Sequence, residues 1–246
     1  MHVLLVAAML AVNAAQADTS CLYRTHLVRA APGRLLDLID AYMGRMSVYE
    51  AAGEFPPIVM RHSQGDHWDL MLMFPMGSFA EYYSADRVAT RERAAAQSGV
   101  TEAEFRRMLD PLVSWQEDVY VLGPAIETLS AVMSTGRYFH AEMLVSLPGR
   151  RDALFHEREM ENVYQAAIGR PVRMIFTRVA GASWDCFTIG IYRDLQHFAE
   201  NDVLSPEQRH AAAVAAGFES PERIGIYMRS LILSHNDTHG SVITRR

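Results

Sequence analysis

The sequence HWDLMLMFPMGSF, residues 67–79, joins an apolar run of strand length to the start of a helix. The same pattern returns as SWDCFTIGIYRDL in residues 183–195. Three anchors keep one spacing of 116 residues: Trp68-Asp69 and Trp184-Asp185, Pro32-Gly33 and Pro148-Gly149, and Gly53 and Gly169. Several anchors at one fixed spacing indicate an internal duplication.

The length of 246 residues fits two small units of about 120 residues each. Half of the residues are hydrophobic, which is enough for each unit to form a core. The net charge is −6 and no long basic run occurs, so a nucleic-acid partner is not expected.

The first residues have the pattern of an export signal. Residues 3–12, VLLVAAMLAV, are apolar, but this run is shorter than the roughly 20 residues that a membrane span needs. Ala15-Gln16-Ala17 matches an A-x-A cleavage site, although neither Lys nor Arg precedes the apolar run. We therefore predict a signal peptide over residues 1–17, a mature chain that begins at Asp18, and a periplasmic or secreted protein.

The sequence pattern of each unit predicts the order β-α-β-β-α-β, which is the split ferredoxin-like arrangement. The first unit spans residues 18–123, a linker follows at 124–134, and the second unit spans 135–235. The last strand is expected at residues 227–234, followed by a frayed polar tail at 236–246. A sheet of this type carries helices on one face only. The fold class is thus α+β, with two ferredoxin-like repeats packed face to face as an α/β barrel.

This arrangement, with Trp-Asp before an apolar strand and an aromatic-led helix after it, resembles the dimeric α/β-barrel superfamily. The resemblance is to its stress-responsive, monooxygenase-like and NIPSNAP-like branches, and the two-repeat layout is similar to chlorite-dismutase-like proteins. It implies a range of activities, from cofactor-free monooxygenases and isomerases to haem proteins, and it is compatible with a homo-oligomer. No catalytic motif of the family matches, so the resemblance assigns no catalytic residue.

Strand alternation predicts which side chains face the barrel interior. If the most apolar side of each strand faces the helices, then Tyr23, Leu27, Phe139, Ala141, Met143, Phe187, Ile189 and Ile191 face the helices. The residues expected in the interior are Arg24, His26, Trp68, Leu70, Leu72, His140, Glu142, Trp184, Cys186, Thr188 and Tyr192. Aromatic walls with a few ionisable groups are the usual composition of a small-molecule site.

We therefore expect a small aromatic or apolar molecule between the two repeats, bound without a cofactor. His26, His140 and Glu142 are the candidate acid-base groups, and Arg24 is the candidate partner of an anionic group. Trp68, Trp184, Thr188 and Tyr192 are the candidate substrate-binding residues. The alternative for the charged residues is exposed ion pairing, and for the tryptophans it is simple filling of the barrel.

Two further functions remain open. The first is a haem protein, with His156 as axial ligand, because His156 falls within the predicted apolar stripe of its helix. A hydrogen-bonded core histidine is the alternative at that position. The second is a non-enzymatic interaction protein with a fully packed barrel. No metal site is expected, since His239 lies in the predicted polar tail and His235 directly precedes it. Cys21 and Cys186 are either a disulfide or two buried thiols.

Overall fold

A computed structural model describes residues 20–244. The predicted signal peptide, residues 1–17, lies outside this part of the chain. Within residues 20–244 no helix is both long and apolar enough to cross a membrane.

Eight antiparallel strands close into one barrel in the order β1-β3-β2-β8-β5-β7-β6-β4. Their bounds are β1 Cys21–Ala30, β2 Ile58–Gln64, β3 Leu70–Gly77, β4 Val113–Gly123, β5 Tyr138–Ser146, β6 Met174–Ala180, β7 Cys186–Tyr192 and β8 Ile232–Ile243. The first four strands form one half of the barrel and the last four form the other. The halves join where β2 pairs with β8 and β4 pairs with β6. The predicted α+β barrel is confirmed.

Helices cover the outside of each half. In the first half they are α1 Leu35–Gly44, α2 Met46–Ala51, α3 Phe79–Tyr82, α4 Ala85–Gln97 and α5 Glu102–Leu109. Between the halves lies α6 Ile126–Met133. In the second half they are α7 Arg151–Ala167, α8 Leu195–Ala199, α9 Pro206–Ala215 and α10 Pro221–Leu231. The predicted linker therefore contains a helix, and its Leu129 and Met133 join the barrel core.

The duplicated Trp-Asp pair fixes the geometry of the strands. Asp69 Oδ2 accepts the backbone N–H of Ala30 at 2.8 Å, at the end of β1. Asp185 Oδ2 accepts the backbone N–H of Ser146 at 2.9 Å, at the end of β5. A carboxylate that accepts a strand-end N–H satisfies a group that would otherwise lack a partner. The motif is accordingly structural in both halves.

The barrel interior is filled by apolar side chains from both halves. Tyr23, Phe139, Phe176 and Phe187 are all 0% exposed and belong to one core cluster. The Phe176 and Phe187 rings stack with centroids 4.6 Å apart. A ligand between the two repeats was predicted, but the interior is occupied by the chain's own side chains.

The predicted orientation of the strands is therefore wrong. Tyr23, Leu27, Met143 and Ile189 were expected to face the helices but belong to the interior cluster. Most of the residues expected inside the barrel contact the helices or the outer surface instead. They are Arg24, His26, Leu70, Leu72, His140, Glu142, Cys186, Thr188 and Tyr192. Trp68 and Trp184 do lie in the interior cluster. The physical reason is that the sealed interior excludes water more completely than the helix layer, so it receives the more apolar face.

The C-terminal residues also differ from the prediction. Residues 221–231 form α10, where the start of the last strand was predicted. The expected frayed tail is most of β8, which pairs with both β2 and β5. Its outward side chains are polar because that face reaches water, and polarity alone suggested a tail. Cys21 and Cys186 are both buried free thiols.

Candidate functional site

Two predicted site residues, Arg24 and His26, lie together on the outer face of β1, beneath the helices of the first half. The His26 imidazole makes an edge contact with the ring of Tyr42 on α1, with centroids 6.3 Å apart. The Arg24 guanidinium lies over the ring of Phe74 on β3, 4.2 Å from its centroid. This layer between sheet and helices, rather than the barrel interior, holds the candidate site.

Asp118 on β4 connects these two residues. Its Oδ1 lies 2.9 Å from His26 Nδ1 and 3.6 Å from Arg24 Nη1. Burial raises the pKa of Asp118, but the hydrogen bond from His26 and the charge of Arg24 outweigh burial and lower it. The carboxylate of Asp118 accepts a hydrogen bond from His26 Nδ1. In this arrangement a neutral His26 carries its proton on Nδ1 and its lone pair on Nε2. Such a pair can accept a proton from a bound molecule.

The Arg24 guanidinium is only partly satisfied. Its Nε is buried and has no hydrogen-bond partner within residues 20–244, and its contact with Asp118 is long for a hydrogen bond. Burial opposes the charge of Arg24, but Asp118 and nearby tyrosines keep its pKa raised, so the side chain stays cationic. The side chain is 27% exposed, so most of it is buried and only a part borders solvent.

Four tyrosines belong to this region. Tyr42 contacts the His26 ring, Tyr49 contacts the Phe74 ring that Arg24 covers, and Tyr120 lies opposite Arg24 on β4. The charge of Arg24 also acts on Tyr82. Burial raises the pKa of Tyr42 to about 12 and also raises that of Tyr49 and Tyr82. A hydrogen bond with Tyr83 and burial raise the pKa of Tyr120 to about 12. These phenols are thus neutral near pH 7 and offer O–H donors beside apolar ring faces. The first half therefore combines a cation, an acid-base pair and aromatic walls.

The second half has different chemistry at the equivalent positions. His140 takes the place of Arg24 and Glu142 the place of His26, each 116 residues later. Glu142 Oε2 accepts from Arg173 Nη1 at 2.8 Å, Arg158 Nη1 at 3.2 Å and Thr188 Oγ1 at 3.2 Å. Because three donors of the protein already bind this oxygen, Glu142 Oε2 is not available to a ligand.

His140 belongs to a separate cluster on β5 and β8. Its Nε2 lies 2.9 Å from Asp237 Oδ1, and His235 Nε2 lies 3.2 Å from the other carboxylate oxygen. The His239 ring stacks on His140 at 4.6 Å, and Phe198 on α8 contacts His140, His239 and Tyr192. His140 and Glu142, both candidate acid-base groups from the sequence, do not act on each other, because His140 bonds to Asp237 and Glu142 bonds to arginines. Within residues 20–244 no group of His, Cys, Asp and Glu is suited to hold a metal ion.

The two tryptophans do not form a sandwich. Trp68 contacts the His62 ring at 5.5 Å, whereas Trp184 makes an edge contact with Phe187 at 5.2 Å. Each has its own partner and fills the barrel core, which was the alternative considered from sequence.

His156, the candidate haem ligand, lies at the surface of α7. Its side chain is 70% exposed and lies 3.5 Å from Glu159, because the buried face of α7 runs through Leu154, Glu157 and Arg158 instead. The groove beside it has a volume of about 400 Å³ and is lined by both charged and apolar side chains, among them Arg151, Glu159, Leu154 and Phe155. The prediction that His156 lies in a core stripe is wrong.

Sequence reasoning missed Asp118, Asp237 and the role of the tyrosines. Both carboxylates sit on the last strand of their half, opposite a residue of the first strand. The available signal was an acidic residue inside an alternating strand, but the register that pairs it with a histidine cannot be read from one sequence. Tyr42 and Tyr49 recur at helical spacing, which is equally typical of a core stripe, so the sequence does not mark them as site residues.

The structure is similar to several solved structures over almost its whole length. An anthrone oxidase-like protein matches with a TM-score of 0.51 and 11% identity, covering 93% of each chain. A candidate monooxygenase from Lactobacillus acidophilus NCFM matches with a TM-score of 0.51 and 10% identity, covering 92% of this chain and 95% of that one. A candidate chlorite dismutase reaches a TM-score of 0.48 at 12% identity. The shared fold is the ferredoxin-like α/β barrel.

No family model matches the sequence, and no curated protein matches it. Identities of this size show a common fold and do not carry an activity from one protein to another.

Proposed function

We propose that this protein binds a small aromatic molecule with an anionic group beneath the helices of its first half. Arg24 holds the anion, the tyrosines hold the ring, and the pair of His26 and Asp118 exchanges a proton with the ligand. The observation that carries the proposal is the Arg24 guanidinium. It is largely buried, its Nε has no hydrogen-bond partner among residues 20–244, and its contact with Asp118 is 3.6 Å. A buried cation left partly unpaired is costly unless another group satisfies it.

The chemistry follows from the same contacts. An anion on Arg24 places an attached ring against neutral tyrosine hydroxyls, which can donate hydrogen bonds to an oxyanion. His26 Nε2 accepts the proton, and Asp118 stabilises the resulting imidazolium. Cofactor-free isomerisation, or the proton-transfer step of an oxygenation, both fit this set of groups.

Calorimetry with benzoate tests the proposal. Arg24→Met keeps the length of the side chain and removes its charge, and Arg29→Met is the matched control because Arg29 is exposed on the same strand. We expect benzoate to bind the wild type and the Arg29 variant and to lose at least about tenfold in affinity in the Arg24 variant, as for a buried charged hydrogen bond. Benzyl alcohol, the neutral analogue, is expected to bind weakly to all three. Equal benzoate affinity in the Arg24 variant refutes the site.

The packed barrel interior favours a second candidate, a non-enzymatic interaction protein. In that case the core cluster is purely structural, and Arg24 serves only to stack on Phe74 and pair with Asp118. Failure of benzoate and a panel of aromatic carboxylates to bind the wild type favours this candidate over the first.

Export is part of the proposal and rests on the sequence of residues 1–17 alone. The apolar run and the Ala15-Gln16-Ala17 site support it. We expect the intact mass of periplasmic protein to correspond to a chain that begins at Asp18. A mass that includes Met1 contradicts it.

A further inference from the structure

One wall of the Arg24 site is a short segment between β3 and α4, residues 77–83, called here the wall segment. It carries Phe79, Tyr82 and Tyr83, and Phe79 contacts the Tyr120 ring at 5.0 Å. It begins at Gly77, whose φ of +76° is a conformation that other residues rarely adopt. The single turn α3 is capped by Ser78, whose Oγ accepts the backbone N–H of Glu81. One turn of helix has little stability of its own.

Two arginines of α4 hold the ends of the wall segment. Arg87 Nη1 donates to the carbonyl of Met76 at 2.8 Å, just before the segment. Arg91 Nη2 donates to the carbonyl of Tyr82 at 2.8 Å, near its end. Both guanidinium groups also lie over the Tyr82 ring, at 5.0 and 4.1 Å from its centroid. The Tyr82 ring is thus held by two cations. The same segment reaches the site through Phe79, which contacts Tyr120, the residue opposite Arg24 on β4.

Glu54 fixes both arginines in turn. Its side chain is 5% exposed in the connection between α2 and β2. Its Oε1 accepts from Arg87 Nε at 2.7 Å and from Arg91 Nη1 at 3.0 Å, and Oε2 accepts from Arg87 Nη2. The two carboxylate oxygens therefore set the direction in which each guanidinium presents its remaining donor to the wall segment.

We propose that Glu54 is a positioning residue, which holds the wall segment over Arg24 through Arg87 and Arg91 and so controls entry to the site. That this entry serves a ligand rests on the proposed function. The hydrogen bonds to the carbonyls of Met76 and Tyr82 lie on either side of the helical turn α3, and both depend on the buried carboxylate of Glu54. Without Glu54 the two cations repel each other beside Tyr82, and the segment opens about Gly77.

Phenylglyoxal, which condenses with accessible guanidinium groups, measures this entry directly. Modification of each arginine is followed by peptide mass spectrometry in the wild type and in Glu54→Gln, which keeps the volume of the side chain. We expect modification of Arg24 to become at least about tenfold faster in the variant, because local opening exposes groups that closed states protect. Exposed Arg29 on the same strand is the internal control and is expected to react at an unchanged rate.

Faster modification of Arg87 and Arg91 with an unchanged rate at Arg24 overturns the proposal, since it shows a local ion pair without control of the site. Arg91→Gln is the second variant, for use if Glu54→Gln does not fold. It removes the hold on Tyr82 and leaves the pair of Glu54 and Arg87. We expect an intermediate increase at Arg24, and no increase there also overturns the proposal.

The same assay separates this inference from the proposed function. Protection of wild-type Arg24 by benzoate reports binding at the site, whereas the variant measured without benzoate reports only the wall segment. Exposure of Arg24 in the variant without any protection by benzoate refutes the ligand and leaves the role of Glu54 intact. Protection of wild-type Arg24 by benzoate, together with an unchanged rate of Arg24 modification in the variant, supports the ligand and refutes the role of Glu54.

Discussion

Glu157 on α7 is a fully buried carboxylate, and its titration gives a quantitative prediction. Arg158 Nη2 lies 2.7 Å from its Oε2, but Oε1 has no hydrogen-bond partner within residues 20–244. Glu142 and Glu161 share the same arginine, at 3.2 and 2.8 Å. Burial, reinforced by these carboxylates, raises the pKa of Glu157 to about 7.

The raised pKa sets the sign and size of the effect. The ordinary value for this group is 4.5, so between pH 4.5 and about pH 7 folded Glu157 keeps a proton that the unfolded chain has released. Its contribution to stability is fully present below pH 4.5 and is lost as the pH rises through 7. Since one pKa unit corresponds to about 1.4 kcal/mol, the loss amounts to about 3 kcal/mol.

Urea unfolding of the wild type and Glu157→Gln across this pH range measures the loss. Titrating groups that do not share Arg158 with Glu157, including Asp118 and Asp237 with their lowered pKa values, are common to both proteins and cancel in the difference. We expect the variant to gain about 3 kcal/mol over the wild type between about pH 4.5 and pH 8. Glu159→Gln, exposed on the same helix, is the control and should show no such gain. A difference for Glu157→Gln that does not change with pH refutes the reasoning.

Three other variants test the fold and the separation of the two halves. Phe176→Ala empties a fully buried position in the barrel interior and should cost about 3 to 5 kcal/mol in urea unfolding; a loss below about 1 kcal/mol would show that the interior is not tightly packed. Asp69→Ala leaves the Ala30 N–H without its acceptor, so we expect a cost of about 1 to 3 kcal/mol and faster hydrogen exchange at Ala30; unchanged exchange contradicts a structural role of the motif. His140→Ala should leave benzoate affinity unchanged in calorimetry, because His140 belongs to the second half; a loss of binding contradicts a site confined to the first half.

The fold was largely predictable because the duplication specifies it. The Trp-Asp spacing of 116 residues places equivalent strands in both halves, and the structure shows why: Asp69 and Asp185 each fix the end of the first strand of their half. The repeated residues are visible in one sequence, although the hydrogen bonds that Asp69 and Asp185 make join residues 39 positions apart.

The faces of the strands were not predictable in the same way. In β3 and β7 nearly every residue is buried, so alternation carries little information about which face meets the helices. The strand β8 was not predicted for the opposite reason. Residues such as Asn236 and Asp237 are polar and exposed, and a polar run resembles a tail.

The candidate site was predicted only in part for a related reason. Arg24 and His26 share a strand face, and alternation alone brings them together. Asp118 reaches them through the register of β1 against β4, and Tyr82 through the position of a single helical turn. Register and loop position depend on the whole fold, so these partners appear only in the structure.

The most direct test of the central claim is a crystal structure of the full chain with bromobenzoate, located by the anomalous signal of bromine. We expect the carboxylate on the Arg24 guanidinium and the bromine among the tyrosines of the first half, on the helix side of the sheet. Bromine inside the barrel, beside Phe139 or Phe176, or in the cluster around His140, would contradict the account.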